Sequence, residues 1–126
     1  LSKKRIEIKT QAIINNIKRF PVDVLTHINY GLKVNCGEIA KVCAQYGTFI
    51  EINGKRITYT DEEMKDMLQA GADFIVNSDA HSTDRIGEVK ICEELISRLS
   101  IPPQRIVNLS KSPEWRSQAA KKAKGI

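Results

Sequence analysis

Asp79 and His81 stand two residues apart, directly after the apolar run 73–78, which reads Asp-Phe-Ile-Val-Asn-Ser. Where extended backbone continues through such a pair, its period of two points both side chains to the same side. A carboxylate oxygen and an imidazole nitrogen presented together suit a divalent zinc, manganese or iron ion. His27, the other histidine of the chain, follows a second apolar run, 22–26, and can supply a third ligand. A hydrogen-bonded structural role suits a strand-end histidine equally well, and the spacing leaves both readings open.

Other chemistries find less support. Cys36, Cys43 and Cys92 are odd in number and lack C-x-x-C spacing, which argues against a disulfide framework or a zinc ribbon. Cys43 and Cys92 fall on apolar helical faces and read as small core residues in a reducing, cytoplasmic compartment. No cysteine stands at a strand end beside a histidine, and no Walker-type loop occurs.

The elements that must position these residues alternate between two hydrophobic periods. Thr10 is a candidate N-cap for a helix carrying Ile13, Ile14 and Ile17 and stopped by Pro21. Strands are predicted over 22–26, 48–53, 73–78 and 105–108. Asn35 with Glu38 and Thr60 with Glu63 have capping spacing, and open helices closed by Gly47 and Gly71. A further helix aligns Ile86, Val89, Cys92, Leu95, Ile96 and Leu99 before Pro102-Pro103. Ser112, Pro113 and Glu114 open a last one. Strand and helix alternating in this way predict an α/β fold, a parallel sheet of βα units. In such sheets functional groups collect at the C-terminal ends of strands. All four predicted strands end in polar residues: His27; Glu51 and Asn53; Asn77, Ser78, Asp79 and His81; and Asn108.

The 126 residues fit one domain, 1–126. The net charge of +5 divides into +5 over residues 1–20 (six basic, one acidic) and +4 over 111–126 (five basic, one acidic), leaving −4 between them. The basic ends read as solubilising, with a frayed tail at 119–126, and the aromatic residues are too scattered for a nucleic-acid groove. Nucleic acid is therefore not an expected partner. No apolar run approaches a membrane span.

Residues 76–81, Val-Asn-Ser-Asp-Ala-His, resemble the S-D-A-H signature near the C-terminal end of polymerase and histidinol phosphatase (PHP) domains. Residues 22–27, Val-Asp-Val-Leu-Thr-His, resemble that family's preceding "VDILAH" strand, and Phe49-Ile50-Glu51-Ile52-Asn53 resembles its "LEIN" strand. Order and spacing agree over roughly residues 20–112. The resemblance implies a distorted barrel of about seven βα units, of which this chain is the C-terminal half. It implies phosphoester hydrolysis by a metal-activated water, with a phosphorylated small molecule as substrate.

Carried over by position, His27, Asp79 and His81 are metal ligands. Glu51, Asn53, Asn77 and Ser78 lie behind them or face substrate; Arg85, after the signature, is a candidate phosphate contact and reads at least as well as a solvated loop arginine. The family opens with an H-x-H pair and further ligands that this chain lacks, and Ile28 stands where the family has proline. The chain also begins with Leu1. It is accordingly expected to be a partial domain. The alternative is a non-catalytic α/β assembly module with a vestigial metal site, forming a homo-oligomer through exposed sheet edges.

Overall fold

A computed structural model describes residues 2–26, 28–29, 31, 33–54, 57–77, 90–108, 113 and 115–118. Its elements are helix α1 (Ser2–Arg19), strand β1 (Val24–Leu25), helix α2 (Cys36–Tyr46), strand β2 (Phe49–Asn53), helix α3 (Asp61–Gln69), strand β3 (Phe74–Asn77) and helix α4 (Lys90–Arg98). A 3-10 turn at Pro103–Arg105 follows, and residues 116–118 are helical. The predicted α/β class is observed, with three parallel strands in the order β1-β2-β3.

β2 is central and buried at all five positions. Register pairs Val24 with Phe49, Leu25 with Ile50, Ile50 with Phe74, and Asn53 with Asn77. Parallel strands cannot be joined by tight hairpins, so each connection returns through a helix. Ile50, Ile52 and Phe74 are fully buried or nearly so, in one cluster with Ile17, Ile39, Cys43, Met64, Met67 and Cys92. Burying each large side chain is worth about 1.5–3 kcal/mol. That contribution holds helices as short as the nine-residue α3, which would be marginal alone.

The helix boundaries follow local chemistry. The Asn35 side chain accepts the Glu38 N–H at 3.1 Å and starts α2. Gly47, at φ 77°, ends it in the left-handed conformation that favours glycine. Thr60 and Glu63 form the reciprocal capping box predicted for α3.

Two expectations are corrected. Thr10 is not an N-cap: α1 begins at Ser2, eight residues earlier, and Thr10 lies inside it, 3% exposed. Its Oγ1 instead accepts the Asn35 N–H at 3.0 Å, taking the place a Glu38 side chain would have filled. The strand predicted over 105–108 is reduced to one bridge between Ile106 and Phe74 after the 3-10 turn. Pro102 and Pro103 begin that turn, and Arg105 is bonded backward: its guanidinium donates to Leu68 O at 3.0 Å, to Ala72 O, and to Asp73 Oδ1 at 3.0 Å. It thereby adds a second donor to Leu68 O, which also accepts the Gly71 N–H at 3.1 Å, and serves Ala72 O just beyond the end of α3.

The outer edge of β3 is covered. Val107 N–H donates to Phe74 O at 2.9 Å, and the Asn108 side-chain amide bonds both the N–H and the C=O of Val76. These edge groups of Phe74 and Val76 are thus already paired within the fold.

Candidate functional site

Three parallel strands place Leu25, Asn53 and Asn77 at the same edge of the sheet, the edge from which the chain turns toward α2 and α3. Strands of this kind usually read as continuous apolar runs. β2 departs from that rule: Glu51 and Asn53 are polar, alternate with Ile50 and Ile52, and are each only 7% exposed. Burying a carboxylate is costly unless hydrogen bonds replace its water. Two amides do so here. Asn53 Nδ2 donates to Glu51 Oε1 at 3.2 Å, and Asn77 Nδ2 donates to Glu51 Oε2 at 2.9 Å. An apolar pair at these positions would fold with less penalty, so the polar cluster is not explained by packing alone.

The backbone reinforces the cluster. Gly54 N–H donates to Asn77 O at 2.5 Å, extending the β2–β3 ladder by one bond beyond Asn53. Because each asparagine turns its NH₂ toward Glu51, the other arm of each amide, its carbonyl oxygen, points elsewhere. The result is a central acceptor with two oriented amides beside it.

A second polar group stands where α2 and α3 begin. Glu63 Oε1 accepts Thr60 N–H at 2.9 Å and Asn29 Nδ2 at 3.4 Å, and its Oε2 accepts the Cys36 thiol at 3.5 Å. Asn29 also donates to Thr58 O at 2.8 Å. One carboxylate therefore joins the segment after β1, the first residue of α2 and the first turn of α3. Burial, with Glu63 beside it, pushes the Cys36 thiol up to about 12. The group is a neutral donor at ordinary pH and not a thiolate nucleophile. Burial likewise raises Tyr59, with the Glu51 and Glu63 carboxylates adding to the shift, so its phenol stays protonated. Among the described residues, no hydrogen-bond partner is found for the buried Tyr59 hydroxyl or Asn29 Oδ1.

Of the residues singled out from sequence, Glu51, Asn53 and Asn77 are brought together. His27, Ser78, Asp79, His81 and Arg85 lie outside the described residues. Among the described residues no three histidine, cysteine, aspartate or glutamate side chains converge on one point. The donors present at this edge are one carboxylate and two amides, all oxygen-bearing groups of the kind that hard divalent cations accept. The Glu63 junction is not among the sequence expectations. Its capping role is visible in the T-x-x-E spacing, but its bonds to Asn29 and Cys36 join residues 34 and 27 positions away. Among the described residues no helix is long and apolar enough to cross a membrane.

Comparison with known proteins gives consistent relatives. No family model matches the chain. A protein of Proteus mirabilis named probable phosphatase is 28% identical over 110 residues, covering 80% of this chain and 45% of that protein. A probable phosphatase of Shewanella halifaxensis is 26% identical over 117 residues, covering 86% and 46%. The probable phosphatase YcdX of Escherichia coli is 26% identical over 110 residues, covering 80% and 45%. The chain spans about half the length of the curated relatives it matches.

Proposed function

We propose that this chain is part of a metal-dependent phosphoesterase of the PHP kind, acting on a phosphorylated small molecule. The observation that carries the reading is the likeness to proteins named probable phosphatase over four-fifths of the chain. The buried Glu51 cluster at the C-terminal edge of the sheet supports it, since that edge is where α/β sheets bind ligands.

In this reading His27, Asp79 and His81 hold the metal. His27 follows the end of β1 by two residues and Asp79 follows the end of β3 by two. The strands are separated by two inter-strand gaps, roughly 10 Å, a span that two side chains reaching toward one ion can bridge. The metal, zinc, manganese or iron, supplies Lewis acidity to the phosphoryl oxygens and an activated water. Glu51 orients Asn53 and Asn77, whose amides position that water or the substrate. Arg85, with its planar fork of donors, would bind a phosphoryl oxygen pair, and Ser78 would face the metal ligands or the substrate.

The test is hydrolysis of a generic phosphomonoester, with metal analysis, by the protein that carries this chain. Manganese or zinc should support turnover, and His27→Ala and Asp79→Ala should each reduce it by about 100-fold or more and lower the bound metal. Folded variants that keep full activity and metal content would refute the assignment.

A further inference from the structure

Asn53 is followed by Gly54, and no other asparagine of the sequence precedes a glycine. Glycine leaves its backbone nitrogen unshielded. In an unfolded polypeptide that nitrogen attacks Asn53 Cγ: a new nitrogen–carbon bond forms, the bond from Cγ to the amide Nδ2 breaks, and ammonia leaves. The resulting succinimide takes up one water and opens to aspartate or isoaspartate. Water is the only co-reactant.

The fold restrains both reacting groups. Asn53 is the last residue of β2, in extended backbone, and ring closure requires its backbone to rotate out of the strand. The Gly54 N–H, which must lose its proton to attack, is bonded to Asn77 O at 2.5 Å. The departing amide is bonded to Glu51 Oε1 at 3.2 Å. Asn53 is 7% exposed and Gly54 is buried, which limits the water and base the reaction needs.

We propose that Asn53–Gly54 is a latent deamidation site, silenced by the β2–β3 ladder, and that its reaction disables the Glu51 cluster. Opening of the strand ends releases the chemistry. The product places a carboxylate where an amide donor stood, facing Glu51 across 3.2 Å in a buried setting. Two acceptors of like charge then confront each other with no donor between them. Isoaspartate adds a backbone carbon as well, which shifts the register of whatever follows. This inference stands apart from the phosphoesterase reading, because it depends on the ladder and the Glu51 contact alone.

The test is peptide mapping by mass spectrometry after incubation in one mildly alkaline buffer, with and without urea. In urea Asn53 should convert before the other asparagines. Without urea its conversion should be slower by about tenfold or more, because reaction waits on local opening. Equal rates at Asn53 in both conditions would overturn the protection. For the consequence, thermal melting of Asn53→Ala and Asn53→Asp is compared with the unaltered protein. Both should melt lower, with Asn53→Asp the lower of the two, since it adds repulsion to the lost bond. An Asn53→Asp variant as stable as Asn53→Ala would overturn that half.

Discussion

Asn108 serves Val76 as a neighbouring strand would. Its Nδ2 donates to Val76 O at 2.8 Å and its Oδ1 accepts Val76 N–H at 3.0 Å. A side-chain amide has the same donor and acceptor as a peptide group, so one residue completes the edge of β3 where the main chain has already turned away. The Asn108→Ala variant should lose about 1–2 kcal/mol in urea unfolding, the usual worth of such bonds. It should also self-associate more at high concentration, because a bare strand edge is a pairing template. Asn108→Asp should fare no better, since it returns an acceptor to Val76 O where a donor is needed. Light scattering and urea melts read both outcomes.

Glu51 is the acceptor shared by Asn53 and Asn77. Glu51→Gln preserves shape but sets one NH₂ against another. The variant should remain folded and lose about 1–3 kcal/mol, the cost of leaving a buried polar group unsatisfied. If the proposed site is correct, turnover of a phosphomonoester should fall by about 10- to 100-fold, as is typical when a supporting partner is removed. Calorimetric melting and the phosphomonoester assay separate the two effects.

Thr60 and Glu63 cap the same helix but differ in reach. Thr60→Ala removes the acceptor for the Glu63 N–H and should cost about 1 kcal/mol. Glu63→Ala removes the acceptor for Thr60 N–H and also releases Asn29 and Cys36. It should cost more than Thr60→Ala in urea unfolding. An equal loss would mean that the bonds to Asn29 and Cys36 add nothing.

The three thiols predict an alkaline limit. Burial raises Cys36 and Cys43 to about 12 and Cys92 to about 11, from an ordinary value of 9.0. Below about pH 9 the thiols are protonated in the folded and unfolded states alike, and their contribution to stability is constant. Between the ordinary value and these raised ones the unfolded state releases protons that the folded state retains, so stability falls as pH rises. Tyr59, raised by burial, acts in the same direction. Urea midpoints should hold level up to about pH 9 and decline above it. A thiol reagent at neutral pH should label the three cysteines readily only after denaturant is added.

The parts of the fold legible from sequence are those fixed by neighbours along the chain. Asn35 with Glu38, Gly47, and Thr60 with Glu63 each act within a turn or two, and each stands as expected. Thr10 misleads because its residue type signals a cap while its hydroxyl is used 25 positions away on Asn35. The last strand is overread because Val107 and Asn108 contact β3 through one main-chain bond and a side chain, a mode that hydrophobic period does not distinguish from a ladder. At the site, Glu51, Asn53 and Asn77 are visible as polar residues in apolar strands. Their hydrogen bonding to one another is not, because it depends on register between β2 and β3. The Glu63 junction with Asn29 leaves no sequence signal for the same reason: no local pattern encodes which loop a helix cap will meet.

Arg116 and Ser117 bring the far end of the chain back to its beginning. Arg116 donates to Ile17 O at 2.6 Å and Thr48 Oγ1 at 2.9 Å, and Ser117 bonds both oxygens of Asp23 through its N–H and hydroxyl at 2.8 and 2.7 Å. These contacts bridge up to 99 positions. A ribosome delivers residues in order, so α1 and β1 emerge long before the groups that fasten them. Residues 116 and 117 must be made before the first strand is secured in this way, and until then its neighbours wait on contacts of high sequence separation, the slowest kind to form.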